Sequence, residues 1–152
     1  MKAITIIQPW ATLIAIGDKQ FETRSWPTKY RGPIAIHAGK KVDREACERE
    51  PIRSTLAAHG YTAGNLPTGV VVATANLSEC FMIKHDTLGG LVLLEAERRR
   101  THFETTDKEF IFGDYTSGRF VWELNDVKQL PDPIPAKGQQ GLWNWVREEQ
   151  TK

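Results

Sequence analysis

The sequence predicts an α+β domain, and three observations lead there. Apolar runs with β-branched or alternating character recur at Ala3 to Ile7, Val70 to Ala75 and Arg119 to Leu124. Between them lie short helical patterns, after Pro9 and over Val42 to His59. The chain is 152 residues long with 40% apolar and 26% charged residues, the balance of one ordinary globular core. No repeat, low-complexity tract or linker divides it, so residues 1–152 are expected to form a single domain.

Ala3 to Ile7 reads as a buried strand that stops at Gln8-Pro9. Pro9 suits the first position of a helix, where its missing N–H costs nothing. Trp10, Leu13 and Ile14 then share a helical face, and Gly17 supplies the left-handed turn that ends it. The stretch Gly17 to Trp26 follows, with a strand starting at Lys19 directly after the Gly17 turn. Side chains alternate along an extended chain, so Gln20, Glu22, Arg24 and Trp26 share one side and Lys19, Phe21 and Thr23 the other. After the turn-rich loop Pro27 to Gly32, a second buried strand covers Pro33 to Ala38, ahead of Gly39-Lys40-Lys41.

Val42 to His59 is helical, with Asp43 as N-cap, a break near Glu50 and a new turn starting at Pro51. Val70 to Ala75 is the strongest strand signal and is expected at the centre of a sheet. Gly89-Gly90 breaks the chain. Leu91 to Arg100 then reads as helix, with Glu95 and Glu97 bridging to Arg98-Arg99-Arg100 on a solvated face. Phe120, Trp122 and Leu124 share the buried side of a strand that continues past a bend to Leu130. Pro131, Pro133 and Pro135 stiffen the chain toward extension. The Lys137-Gly138-Gln139-Gln140-Gly141 turn leads into a last element anchored by Trp143 and Trp145.

Charge is distributed unevenly. The net value is +1, but residues 1–41 carry seven Lys and Arg against Asp18 and Glu22, while the remainder is acidic. A basic first quarter on a neutral chain suits a localised anionic partner such as phosphate or nucleic acid, and excludes a general coat for DNA. No apolar run approaches the roughly 20 residues of a membrane span, so no membrane is expected. Gln8-Pro9 comes too early for a signal peptide. Cys47 and Cys80 are far apart and lack a Cys or His at ligand spacing. Reduced thiols in a cytoplasmic protein, with no metal and no cofactor, are the expectation. Oligomeric state is left open.

The candidate site residues cluster in the basic stretches. Glu22 and Arg24 are expected to pair on a cleft wall beside Trp26. Tyr30 can stack a base while Lys29 and Arg31 hold phosphates. His37 ends a strand near this region, and Gln8 sits at a helix N-terminus. Lys137, Gln139 and Gln140 stand between glycines that allow close backbone approach, with amides able to read base edges. Lys19, directly after the Gly17 turn, is expected to direct its ammonium into the cleft near Glu22 and the 137–140 turn. Alanine there would then weaken a ligand and leave stability nearly unchanged.

The run Ile6-Ile7-Gln8-Pro9-Trp10-Ala11-Thr12-Leu13-Ile14, then Gly17-Asp18-Lys19, Glu22-Thr23-Arg24-Ser25-Trp26, Tyr30-Arg31-Gly32 and the late Lys137-Gly138 and Gly141-Leu142-Trp143, resembles the ASCH domain of the PUA-like superfamily. The resemblance covers roughly residues 3 to 147. It implies an incomplete β-barrel of mixed strands with flanking helices, and a cleft between barrel and helices floored by the signature stretch, in which Gln8 and Trp10 join the residues above. It implies binding of single-stranded RNA or DNA, or of a nucleoside or nucleotide. A bacterial branch of the superfamily hydrolyses the amide of cytidine acetylated on its exocyclic amine, using a Lys, a Thr and a Glu. Lys19 matches the Lys, but Glu22 stands at the Thr position. The alternative reading is therefore a small hydrolase or ribonuclease in which Glu22 activates water and Lys19 stabilises an oxyanion.

Overall fold

Two long strands carry the architecture: β4 (Val70–Asp86) and β7 (Phe120–Pro135), paired antiparallel along most of their length. The computed structural model describes residues 1–86, 90–105 and 107–146. Around the pair the sheet runs β2-β7-β4-β3-β1-β8, where β1 is Lys2–Gln8, β2 Phe21–Arg24, β3 Gly32–Val42 and β8 Leu142–Asn144. The β1–β3 pair is parallel and the others are antiparallel. The far end of β4 also carries the hairpin β5 (Leu91–Glu95) and β6 (Arg100–Glu104). This is an open, mixed sheet flanked by helices, the incomplete barrel that the resemblance implies.

Helix α1 (Trp10–Ala15) sits inside the sheet's curve, and residues 11–15 are buried on every side. Ala11, Ile14 and Ala15 pack against Ile4, Ile36, Val72 and Trp122, whereas Leu13 turns to Cys47, Ile52 and Leu56 of α2 (Arg44–Glu48) and α3 (Ile52–Ala58). A six-residue helix has no stability of its own, so this burial holds it, at about 1.5–3 kcal/mol for each large side chain. Gln8 supplies its cap: Oε1 accepts from Thr12 N at 2.9 Å, and Nε2 donates to Thr12 Oγ1 and to the Pro67 carbonyl. Gly17, at φ 87°, ends the helix as its position suggests.

The break in the second helical region is where Pro51 puts it, and Asp43 caps α2 by accepting from Ala46 N at 3.0 Å. Two expectations need correction. The third strand runs on through Gly39-Lys40-Lys41 to Val42 rather than stopping at Ala38. Leu91 to Arg100 is no helix but a hairpin, in which Val92 and Leu94 face the core beside Phe81 and Tyr115. That burial outweighs the helical preference of the charged residues around it. Gly90 makes the entry at φ 70°, while Gly89 lies outside the described residues. Arg100 faces Glu95 across the strands at 3.9 Å, and Arg99 reaches Glu123 at 2.7 Å, so the ion pairs are not helical.

Prolines 131, 133 and 135 lie within β7 and leave it extended. Past Leu124, whose N–H still donates to Gln20 O at 2.9 Å, β7 pairs only with β4 among the described residues, so missing N–H groups on the other edge break no ladder.

Candidate nucleic-acid interface

Strand β2 ends at one rim of the open barrel and β1 at the other. β8 covers β1 only from Lys2 to Ile4, so the remaining edge, Thr5 to Ile7, faces a cleft of about 1350 Å³. Thr5, Ile7, Arg24, Trp26, His37 and Lys40 form its wall, and residues 135–141 form its far side. Arg24 spans the gap: Nη2 donates to the Thr5 carbonyl at 2.7 Å and lies 3.2 Å from Glu22 Oε2. The expected Glu22–Arg24 pair is therefore present, and it stands at the barrel seam. Trp26 is steadied edge-on against buried Trp122, with ring centroids 4.8 Å apart.

The far side of the cleft is held by a polar chain. Trp143 Nε1 donates to Thr5 Oγ1 at 3.1 Å, Thr5 Oγ1 meets His37 Nδ1 at 3.1 Å, and His37 Nε2 meets the Ala136 carbonyl at 2.8 Å. A carbonyl only accepts, so Nε2 carries a hydrogen, and in the neutral ring Nδ1 accepts from the Thr5 hydroxyl. Gly138 lies directly on this chain: a Cβ there would stand 2.7 Å from His37 Cε1 and from Thr5 Oγ1. Only glycine lets the 136–141 segment lie so close. Lys137, Gln139 and Gln140 are exposed along it or nearly so. Arg24, Lys40 and Lys137 line the large cleft, and no carboxylate among the described residues does.

A smaller cleft of about 440 Å³ lies on the other side of Arg24, Trp26 and Ile7, which line both. Trp10, Glu22, Arg49, Asp114 and Arg119 contribute to it. The structure thus gathers Arg24, Trp26, His37, Lys137, Gln139 and Gln140 at one cleft, and Trp10, Glu22, Arg24 and Trp26 at the other.

The remaining candidates are elsewhere. Gln8 is fully buried as the helix cap. Tyr30 packs on the core and donates to the Pro33 carbonyl, and Arg31 is engaged by Glu79 at 2.8 Å, so the loop that carries them lines neither cleft.

Lys19 is the largest departure. Strand β2 begins only at Phe21, so the alternation along the strand does not reach it. Its backbone N–H closes α1 by donating to Leu13 O at 3.1 Å. The side chain turns inward, 1% exposed, with its ammonium on the Phe21 carbonyl. Burial pushes the ammonium below its ordinary range, and Glu22 and Glu109 pull it back. Glu109, on α4 (Lys108–Ile111), accepts from Gln20 N at 2.7 Å through Oε2, while Oε1 is buried with no hydrogen-bond partner among the described residues. Burial raises its carboxyl above the ordinary range, against the opposing bond from Gln20 and the charge of Lys19.

Sequence reasoning missed Thr5, Ile7, Lys40 and Gly69 of the large cleft and Arg49 and Arg119 of the small one. For Lys40 the signal was present, as part of the basic first quarter. Thr5 carried none, because its role comes from a strand end that stays unpaired.

The ASCH domain family model matches residues 4–133. The chain belongs to the ASCH domain family. That family is part of the PUA-like superfamily, a fold generally associated with RNA and nucleic-acid binding. Human activating signal cointegrator 1 is 24% identical over 143 residues, which are 92% of this chain, and the mouse protein of that name matches equally. The ASCH chain spans about a fifth of the length of these relatives. Among solved structures, ASCH from Zymomonas mobilis superposes with a TM-score of 0.53 at 19% identity, covering 97% of this chain and 87% of that one. A serine-to-alanine variant of the same Zymomonas mobilis protein gives 0.51 at the same identity, covering 97% and 88%. At that identity the likeness speaks for the fold. Among the described residues no helix is long and apolar enough to cross a membrane, and no group of three His, Cys, Asp or Glu side chains could hold a metal ion.

Proposed function

We propose that this ASCH chain binds single-stranded RNA or DNA, with the strand's backbone lying in the larger cleft. One observation carries the reading: three cations and an indole line that cleft, with no carboxylate among the described residues that line it. Arg24, Lys40 and Lys137 suit phosphates, Trp26 offers a stacking face, and the Gln139 and Gln140 amides suit base edges. A volume of about 1350 Å³ suits several linked nucleotides better than one small metabolite.

The test is fluorescence anisotropy with labelled single-stranded RNA and DNA of about eight nucleotides, titrated with salt. Three phosphate contacts predict a log–log salt slope of about −2. Absence of binding, or binding indifferent to salt, removes this reading. The hydrolase reading rests on Glu22 lining a nucleoside-sized cleft with Lys19 behind it. Acetate release from N4-acetylcytidine, lost in Glu22→Gln, would transfer the small cleft to it.

A further inference from the structure

Glu22 is ion-paired yet makes no hydrogen bond among the described residues. Its carboxylate lies 3.2 Å from Arg24 Nη2, its side chain is 10% exposed, and neither oxygen is among the buried atoms left without a partner. On Arg24, Nη2 donates to Thr5 and Nε is buried, whereas Nη1 has no partner among the described residues and is not sealed from solvent. An open acceptor and an open donor are thus fixed side by side by their own ion pair. Both line the smaller cleft, to which Trp10 and Trp26 also contribute.

A carboxylate this enclosed is costly to leave without hydrogen bonds, and a ligand that donates to it relieves that cost. We infer that the smaller cleft receives one unstacked nucleobase, whose Watson–Crick edge donates to Glu22 and accepts from Arg24 Nη1. Three features fit. Every base presents a donor next to an acceptor on that edge, the geometry the ion pair complements. The cleft's roughly 440 Å³ is of the size that encloses a small ligand, and indole faces suit a base withdrawn from its stack. Arg24 and Trp26 are shared with the larger cleft, so a strand lying there can turn one base over this ridge without leaving its phosphate contacts.

The inference rests on the binding reading and adds the recognition step: one base position on the strand is read, and it must be unpaired. The probes are single-stranded octamers of cytidine, adenosine and uridine, and the cytidine octamer carrying one abasic residue at each internal position in turn. The unmodified protein is expected to lose about tenfold in affinity at one abasic position and little at the others. Glu22→Gln, which keeps the side chain's shape, is expected to change the ratio of affinities among the three octamers about tenfold with the salt slope preserved. A uniform effect of all abasic positions, or a Glu22→Gln variant that binds all three octamers in the original ratio, overturns the inference while leaving strand binding intact. Failure of the unmodified protein to bind any octamer overturns both. The abasic series needs no substitution, so misfolding of a variant cannot hide the answer.

Discussion

Arg24 Nη2 donates to the Thr5 carbonyl at 2.7 Å, joining β2 to β1 where no backbone ladder among the described residues does. One guanidinium thereby closes the barrel seam, neutralises Glu22 and divides two clefts. Arg24→Met, which keeps the stem, is expected to cost about 1–3 kcal/mol of stability, since a carbonyl and a carboxylate lose their partner together. Urea denaturation checks this. Unchanged stability would show the seam bond to be idle.

Gly138→Ala tests the floor of the larger cleft. The added methyl meets His37 and Thr5 within 2.7 Å, so the 136–141 segment must lift, at about 1–3 kcal/mol. Affinity for a single strand is expected to fall with stability. Adding His37→Ala, which vacates part of the space, should recover some of the stability and little of the affinity, because the Ala136 tether is gone.

Lys19→Met reverses what the sequence suggests for this position. The side chain is buried and its charge is attracted by Glu22 and Glu109, so its loss is expected to cost about 3 kcal/mol by removing the ammonium that offsets Glu109 and, together with Arg24, Glu22. Combining it with Glu109→Gln should restore part of the loss. A Lys19→Met variant as stable as the parent would refute the burial argument.

Glu109 gives a pH dependence of definite sign. Its folded carboxyl holds a proton more tightly than the ordinary value of 4.5, chiefly through burial. As pH rises from 4.5 through the folded value, the unfolded chain releases its proton first, and this group's contribution to stability declines. In Glu109→Gln that declining component is expected to vanish. Unfolding free energies followed upward from about pH 4.5 should therefore fall more steeply in the parent than in the variant.

A paired comparison locates the strand. Lys40→Ala with Lys137→Ala should weaken binding of every single-stranded sequence and lower the magnitude of the salt slope by about one to two. Lys29→Ala with Arg31→Ala, on a loop outside both clefts, should change neither quantity. The reverse outcome would move the interface to the Tyr30 loop.

Local chemistry makes much of this legible in the sequence. Asp43, Pro51 and Gly17 act within a few residues of themselves, and the alternation of Glu22 with Arg24 holds because both lie inside one real strand. Lys19 escapes a local reading because the end of α1 fixes its backbone, and because Glu109, one of the charges that offsets its burial, lies about ninety residues away. Leu91 to Arg100 escapes it because Phe81 and Tyr115, which bury one face of the hairpin, lie outside any local window. Of the candidate site, the Arg24–Trp26 ridge and the 137–140 segment can be read from residue type. The bare end of β1 cannot, because nothing in Thr5-Ile6-Ile7 announces that β8 will stop at Ile4.

That bare end has a consequence for solubility. A strand edge with unclaimed carbonyls and amides is a template on which a second chain can pair, and Ile7, 40% exposed, would reward such pairing. The guanidinium on Thr5 occupies the acceptor from which a foreign ladder would start, and its charge disfavours apolar sheets nearby. Arg24 is therefore expected to act against edge-to-edge self-association. Variants lacking it are expected to aggregate at concentrations where the parent stays dispersed, a change that light scattering would register before any loss of secondary structure.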